Sequence, residues 1–209
     1  MKLICITGNS GSGKTTIAKM FHDILPNSLL ILADDYMWKW AKHNIAEYKR
    51  IFNISQETTD FDECRRLSRN MTSEQLQNFV ATVTPFVEND VEKTISSQEN
   101  NRYSYAVIEW AGLYKFKVWN RADYRIVIKA QESIRVKNLV KRLVASGKYS
   151  DDAIKARIIP VQDILEMASN PSFTIENNYD DDLYVNIQSI CSSIMPQKTD
   201  SSQTGGHSL

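Results

Sequence analysis

Eight residues near the start of the chain constrain its fold more than any other feature. They read Gly8-Asn9-Ser10-Gly11-Ser12-Gly13-Lys14-Thr15 and fit the pattern G-x-x-x-x-G-K-[ST] at every position. An apolar, β-branched run at 3–7 precedes the motif, and apolar residues at helical spacing follow it until Pro26. This order of strand, glycine-rich turn and helix predicts a phosphate-binding loop (P-loop) in an α/β protein.

The residue types in this loop are suited to binding a nucleoside triphosphate. Glycines let the backbone curl so that successive N–H groups face phosphate oxygens, and a helix that begins near Lys14 adds its positive end. Lys14 supplies a full charge to the β- and γ-phosphates, while the Thr15 hydroxyl is a ligand for Mg²⁺. We therefore predict that residues 8–16, including Thr16, bind ATP with Mg²⁺.

Two acidic residues follow later strand candidates. Asp34 closes the apolar run at 29–33, and Glu109 ends the run at 105–109. The carboxyl ends of neighbouring parallel strands share one crevice, so both carboxylates should lie near the γ-phosphate. Asp34 is predicted to take the proton of an attacking hydroxyl or to hold Mg²⁺, and Glu109 to hold Mg²⁺ with Thr15. Helix capping by Asp34 or Asp35, and a merely solvated Glu109, remain alternatives.

A basic helix is predicted at 134–144. Arg135, Lys137, Lys141 and Arg142 lie on the face opposite its apolar residues. The helix follows a strand and precedes a loop, which is where a phosphate-closing lid belongs in a small kinase. We predict a lid at about 136–155 in which Arg142 contacts the phosphates of ATP, with Arg157 as a weaker candidate. A solvated basic face is the alternative.

The pattern along the chain predicts one α/β domain over 1–195. Strand candidates at 3–7, 29–33, 105–109, 124–129 and 173–175 alternate with helices, so a mostly parallel, doubly wound five-stranded sheet is expected. Residues 36–100 read as a helical substrate-binding region. Within it, Thr72 and Gln75 form a capping box, and Pro85 is predicted to begin a further helix. The polar tail at 196–209 is predicted to be disordered.

Composition narrows the class of protein and its compartment. Lys and Arg total 25 and so do Asp and Glu, which argues against nucleic acid as a partner. Three widely spaced cysteines form no zinc or disulfide pattern and indicate a reducing compartment. No apolar run is long enough to span a bilayer and no signal peptide is visible, so we predict a cytoplasmic protein without membrane contact. The sequence leaves its oligomeric state open.

These residues resemble those of dephospho-CoA kinases, within the P-loop nucleoside and nucleotide kinases. The resemblance runs from residue 1 to about 194 and is loose at 36–71. Its strongest segments are 122–128, Lys141-Arg142, and 173–178, which is similar to the family's closing I-D/E-N-N element. It implies a P-loop kinase fold with a lid and transfer of the ATP γ-phosphoryl group to dephospho-CoA. It also implies that Asp34 and Arg142 are catalytic, with Lys14, and that Asn177 and Asn178 lie near the adenine of ATP.

The sequence departs from that family on the side of the acceptor. Thr84-Pro85 stands for His-Pro, Ala111-Gly112-Leu113 for Pro-Leu-Leu, and Tyr179 for a glycine. Other segments look like uridine and nicotinamide riboside kinases, and phage-type deoxynucleoside monophosphate kinases also carry paired asparagines. A nucleoside or nucleotide acceptor therefore stays open, as does an ATP-binding regulatory module without kinase activity. A GTPase switch is disfavoured because D-x-x-G and N-K-x-D are both missing.

The two kinds of acceptor need different side chains. An anionic acceptor such as dephospho-CoA would need cations, for which Arg65, Arg66 and Arg69 are candidates. An uncharged nucleoside would need ring stacking, for which the candidates are Trp38, Trp40 and Trp110, although packing is favoured for each. Trp119 is expected in the core.

Overall fold

A computed structural model describes residues 1–98, 103–145, 154–155, 168–179 and 182–196. Its centre is one five-stranded sheet in the order β2-β3-β1-β4-β5, and every pairing between neighbouring strands is parallel. The strands are β1 Lys2–Gly8, β2 Ser28–Leu32, β3 Tyr105–Glu109, β4 Tyr124–Lys129 and β5 Phe173–Glu176. This architecture confirms the predicted fold class and places β1, which carries the P-loop, in the middle of the sheet.

Helices connect these strands and cover both faces of the sheet. They are α1 Lys14–Ile24, α2 Ala33–His43, α3 Ile45–Phe52, α4 Phe61–Leu67, α5 Ser73–Gln98, α6 Lys117–Arg121, α7 Glu132–Ala145 and α8 Leu183–Ile194, with short 3₁₀ turns at Ser68–Asn70 and Leu113–Lys115. Within the part of the chain that the structure describes, no helix has both the length and the apolar character needed to cross a membrane.

The core lies in two layers, one on each face of the sheet. Alternate residues of β1 belong to opposite layers: Leu3 and Cys5 pack with α2, α5 and α6, whereas Ile4 and Ile6 pack with α1 and α8. This alternation follows from the two-residue period of a strand, and it requires apolar residues at successive positions of a strand that is buried on both faces. None of the three cysteines forms a disulfide.

Helix α5 corrects one expectation from the sequence. Thr72 and Gln75 form the predicted capping box, since each side chain hydrogen-bonds to the other's backbone N–H at 3.1 and 2.9 Å. The helix then continues through Pro85, where we expected a boundary. A proline inside a helix costs about 3 kcal/mol. An unbroken buried stripe offsets that cost, formed by Phe79, Val83, Val87, Val91 and Ile95.

Two predicted segments lie partly outside the described residues. Of the lid predicted at 136–155, the structure describes α7 up to Ala145 and residues 154–155. Arg157 and the tail beyond 196 are outside the described part of the chain. The proposed division into lid, substrate-binding region and tail therefore stays a prediction.

Candidate active site

The P-loop joins the end of β1 to the start of α1. Gly11 and Gly13 have φ of +86° and +85°, a left-handed backbone that glycine adopts readily. Gly13 is the residue before α1, so the N-terminal amides of that helix open directly onto the loop. Loop and helix together have the backbone arrangement that an anion site of the predicted kind requires.

Lys14 and Thr15 both contact Glu109. The Thr15 hydroxyl donates to Glu109 Oε2 at 3.0 Å, and Lys14 Nζ lies 3.6 Å from Oε1 of the same carboxylate. Glu109 is only 2 % exposed. Burial raises its pKa and so does the nearby charge of Asp34, whereas Lys14 and the Thr15 hydrogen bond lower it. A buried carboxylate is thus held beside the phosphate site in an environment that favours a cation.

Asp34 reaches the same crevice from the neighbouring strand. Leu32, the last residue of β2, pairs with Glu109, and Asp34 follows two residues later in the first turn of α2. The N-cap residue of α2 is Leu32 rather than Asp34, and Asp34 Oδ1 accepts a hydrogen bond of 2.9 Å from the indole N–H of Trp110. Trp110 is buried and packs on Phe116 with ring centroids 4.9 Å apart, so the donor is fixed in place. This contact orients one oxygen of an otherwise exposed carboxylate.

Arg142 lines the same cavity as the P-loop, and its contact with the phosphates of ATP stays a prediction. The cavity has a volume of about 210 Å³ and is lined by P-loop and α7 residues and by Tyr179; the lining is Gly11, Gly13, Lys14, Thr15, Thr16, Asn138, Leu139, Arg142 and Tyr179. Arg142 is exposed, and Asn138 is one helical turn away on α7. A cation at that position can approach phosphate groups held by the loop.

Arg135 does not belong to the exposed basic face that the sequence suggested. It is 2 % exposed, and its guanidinium donates to the carbonyl of Ser10 at 2.7 Å and to both carboxylate oxygens of Glu132. The helical period placed Arg135 among polar positions, but in the structure it shares the buried side of α7 with Leu139 and Leu143. A tertiary contact with the P-loop decides its orientation.

The paired asparagines approach the loop from the end of β5. Asn177 is buried, and its side-chain amide donates to the carbonyl of Ser12 at 2.8 Å. Asn178 lines a separate cavity of about 170 Å³ with Lys129, Ala130, Gln131 and Glu176. Tyr179 adopts φ +60°, a left-handed backbone that glycine adopts more readily, and its hydroxyl donates to the carbonyl of Gly11. That the asparagines lie near adenine stays a prediction.

The acceptor candidates separate in the structure. The Arg65 guanidinium lies 4.4 Å from the ring centroid of Trp38, which is one helical turn after Asp34 on α2. Arg66 is instead bonded to Glu63 through two nitrogens, at 2.6 Å each. Trp38 and Trp40 pack on Phe79 with centroid distances of 6.1 and 6.3 Å, which favours packing over stacking on a free ring. Trp119 lies in the core, as expected.

Sequence reasoning missed three contacts next to the site: Trp110 with Asp34, Arg135 with Ser10, and Tyr179 with Gly11. These contacts join positions 76, 125 and 168 residues apart, so no local pattern could reveal them. The departure from glycine at Tyr179 was the one available signal.

Comparisons with known proteins agree with this fold. A family model described as dephospho-CoA kinase matches residues 2–180. The crystal structure of TT1252 from Thermus thermophilus is similar at 23 % identity and a TM-score of 0.65, over 93 % of this chain and 98 % of that one. A dephospho-CoA kinase from Campylobacter jejuni is similar at 19 % identity and a TM-score of 0.50, over 92 % and 95 %. Among curated proteins no match is found.

Proposed function

Because the match spans residues 2–180, the chain belongs to the dephospho-CoA kinase family, and we propose that its reaction takes place where β1, β2 and β3 end. The chain is an ATP-dependent phosphotransferase that phosphorylates dephospho-CoA in coenzyme A biosynthesis. One observation supports this location. Lys14 and Thr15 both contact the buried Glu109 at the end of β3, and Asp34 follows the neighbouring strand β2. A cytoplasmic location, inferred from the sparse cysteines, is part of the same proposal.

ATP binds with its phosphates in the P-loop. The loop amides and the N-terminus of α1 hold the β-phosphate, and Lys14 moves its charge from Glu109 towards the β- and γ-phosphates. Arg142, which lines the same cavity, adds a second positive charge. Together these groups neutralise the charge that builds on the transferred group in the transition state.

The donor set at the edge of the sheet suits Mg²⁺. Thr15, Glu109 and Asp34 offer oxygen atoms only. The described residues contain no cluster of three or more His, Cys, Asp or Glu side chains that could enclose a metal ion, so other ligands would have to complete its shell. Mg²⁺ is commonly bound by one or two carboxylates, with water and substrate phosphates completing its shell. Thr15 and Glu109 would hold the ion directly and Asp34 would hold one of its waters, and the ion would offset negative charge on the phosphates when bound.

Asp34 is assigned as the general base. The 3′-hydroxyl oxygen of dephospho-CoA forms a bond to the γ-phosphorus while the bond to the oxygen that bridges the β- and γ-phosphates breaks. The hydroxyl proton passes to Asp34. Trp110 holds Oδ1 of that carboxylate, so Oδ2 is the atom that we assign to the proton. Trp110 is a positioning residue in this scheme, because it acts through Asp34.

The acceptor lies on the side of α2 and the helical region at about 36–100. Dephospho-CoA carries a pyrophosphate, and Arg65 beside Trp38 is the cation that we assign to it. Arg66 is less suited because Glu63 already neutralises its charge. Arg65→Gln should raise KM for dephospho-CoA about tenfold and leave KM for ATP unchanged, as expected for loss of one charge-assisted contact. Arg66→Gln is the matched control.

A substrate panel tests the proposal directly. Dephospho-CoA, uridine, cytidine, nicotinamide riboside and the deoxynucleoside monophosphates are each offered with Mg-ATP in a coupled assay of ADP release. We expect the highest kcat/KM for dephospho-CoA, with KM rising as salt screens its charge. A nucleoside that wins by tenfold would contradict the acceptor. If no compound stimulates ADP release, the chain is an ATP-binding module instead.

A further inference from the structure

Three successive carbonyls of the P-loop each accept a hydrogen bond from a side chain far away in the sequence. Arg135 of α7 donates to Ser10 at 2.7 Å, Tyr179 donates to Gly11, and Asn177 donates to Ser12 at 2.8 Å. The donors come from α7 and from the segment that follows β5. None of these bonds is needed to form β1 or α1, so their common target is the conformation of the loop itself.

Fixing a carbonyl fixes the amide that follows it. In a trans peptide the C=O of one residue and the N–H of the next point in opposite directions, and the described chain contains no cis peptide. With the carbonyls of Ser10 and Ser12 held by the side chains, the N–H groups of Gly11 and Gly13 must point away from them. The N–H between these two, that of Ser12, bonds to the Asn9 carbonyl at 3.0 Å and closes the turn.

The two glycines with positive φ lie against these side chains. A Cβ added to Gly11 would come within 3.3 Å of Arg135 Cγ, and one added to Gly13 would come within 2.2 Å of the Asn177 amide nitrogen. The side chains therefore occupy the space that a larger loop residue would need. Close approach of this kind leaves the loop few alternative conformations.

The chemistry of the donors also suits a permanent brace. Arg135 and Asn177 are buried, and Glu132 balances the charge of Arg135, so neither side chain is free to leave for another partner. Tyr179 is 45 % exposed and is held in a left-handed conformation uncommon for an aromatic residue. Its hydroxyl reaches the loop from that position.

We propose that Arg135, Asn177 and Tyr179 form a brace that presets the P-loop for the β-phosphate of the nucleotide. They are positioning residues, because they act through the loop backbone. The inference rests on the proposed nucleotide site. If the brace acts in this way, loss of one donor should weaken the binding of nucleotides that carry a β-phosphate. The binding of AMP, which has no β-phosphate, should not change. Preorganisation of this kind raises affinity by reducing the ordering that binding would otherwise demand.

Tyr179→Phe removes one hydroxyl and tests the brace. Calorimetry should show ADP binding about fivefold weaker, the typical contribution of one hydrogen bond, with AMP binding changed less than twofold. KM for ATP should rise by a similar factor while KM for dephospho-CoA and the melting temperature stay unchanged. Tyr184→Phe is the matched control, since Tyr184 is 49 % exposed on α8.

Arg135 offers a second comparison. Arg135→Met and Arg135→Gln both lose the contact with Glu132, but only glutamine keeps an N–H donor for the Ser10 carbonyl. ADP affinity should therefore fall further in the methionine variant. If that variant does not fold, the Tyr179→Phe measurement still decides.

Two results would overturn the brace alone. One is an ADP affinity of Tyr179→Phe within twofold of wild type. The other is an equal loss of affinity for AMP, which would show that Tyr179 contacts the nucleoside directly. A wild-type protein that binds neither ADP nor ATP would overturn the proposed nucleotide site and the brace together.

Discussion

Trp110→Phe isolates the contact that orients the proposed base. The substitution removes the indole N–H that donates to Asp34 Oδ1 at 2.9 Å. Phenylalanine keeps a ring against Phe116, and the backbone bond from the Trp110 N–H to the Ile6 carbonyl at 3.2 Å is unaffected. The change therefore removes one hydrogen bond and part of one buried ring, without touching the P-loop.

The size of the effect follows from the charge on the acceptor. A hydrogen bond to a charged group contributes about 1.5–3 kcal/mol, which corresponds to about 10- to 150-fold in kcat if it is expressed in the positioning of Asp34. Trp110 is 5 % exposed, so the smaller ring should also lower the free energy of unfolding by about 1–3 kcal/mol. ATP affinity should not change, because Trp110 acts on the base rather than on the P-loop.

The measurement compares kcat at saturating substrates, the Kd of ATP and the urea midpoint for Trp110→Phe and Trp119→Phe. Trp119 is a suitable control because it is equally buried and its indole donates to the Ser169 carbonyl at 3.4 Å rather than to Asp34. The control should lose stability and keep its kcat. The reasoning fails if Trp110→Phe retains kcat within twofold, or if the control loses as much kcat as the test variant.

Three further substitutions test the remaining roles. Lys14→Ala should lower kcat/KM more than about 100-fold, because Lys14 is the P-loop cation proposed to neutralise the β- and γ-phosphates. Near-normal turnover of the pure variant would refute the P-loop assignment. Asp34→Asn should lower kcat by a similar factor while its ATP affinity stays within a few fold of wild type. The control Asp35→Asn should change neither quantity. If Asp34→Asn loses both kcat and ATP affinity, Asp34 is mainly a metal or structural residue. Glu109→Gln should abolish Mg²⁺-dependent activity without lowering the free energy of unfolding at pH 7. Burial raises the pKa of Glu109 above its ordinary 4.5. The contribution of Glu109 to the free energy of unfolding is therefore fully present below pH 4.5 and is lost as the pH rises through the pKa of the folded state. A loss of stability at pH 7 would show that the pair with Lys14 outweighs desolvation.

The sequence by itself determined the features whose causes are local. The P-loop, the strand before it and the helix after it are neighbours along the chain, and the spacing of glycines, Lys14 and Thr15 is dictated by the backbone geometry that phosphate needs. The proximity of Asp34 and Glu109 could also be predicted from the sequence, because the carboxyl ends of adjacent parallel strands meet at one edge of the sheet. The capping box at Thr72 is equally local.

The tertiary structure decided the contacts between residues that are distant in sequence. Local rules assign a helix boundary to Pro85 and an exposed position to Arg135, yet a continuous apolar stripe and the carbonyl of Ser10 overrule them. Trp110 and Tyr179 gain their partners in the same way, since a donor has no preferred acceptor until the fold brings one within reach. Local sequence therefore fixes which groups can bind phosphate, and packing over the sheet fixes how those groups are held.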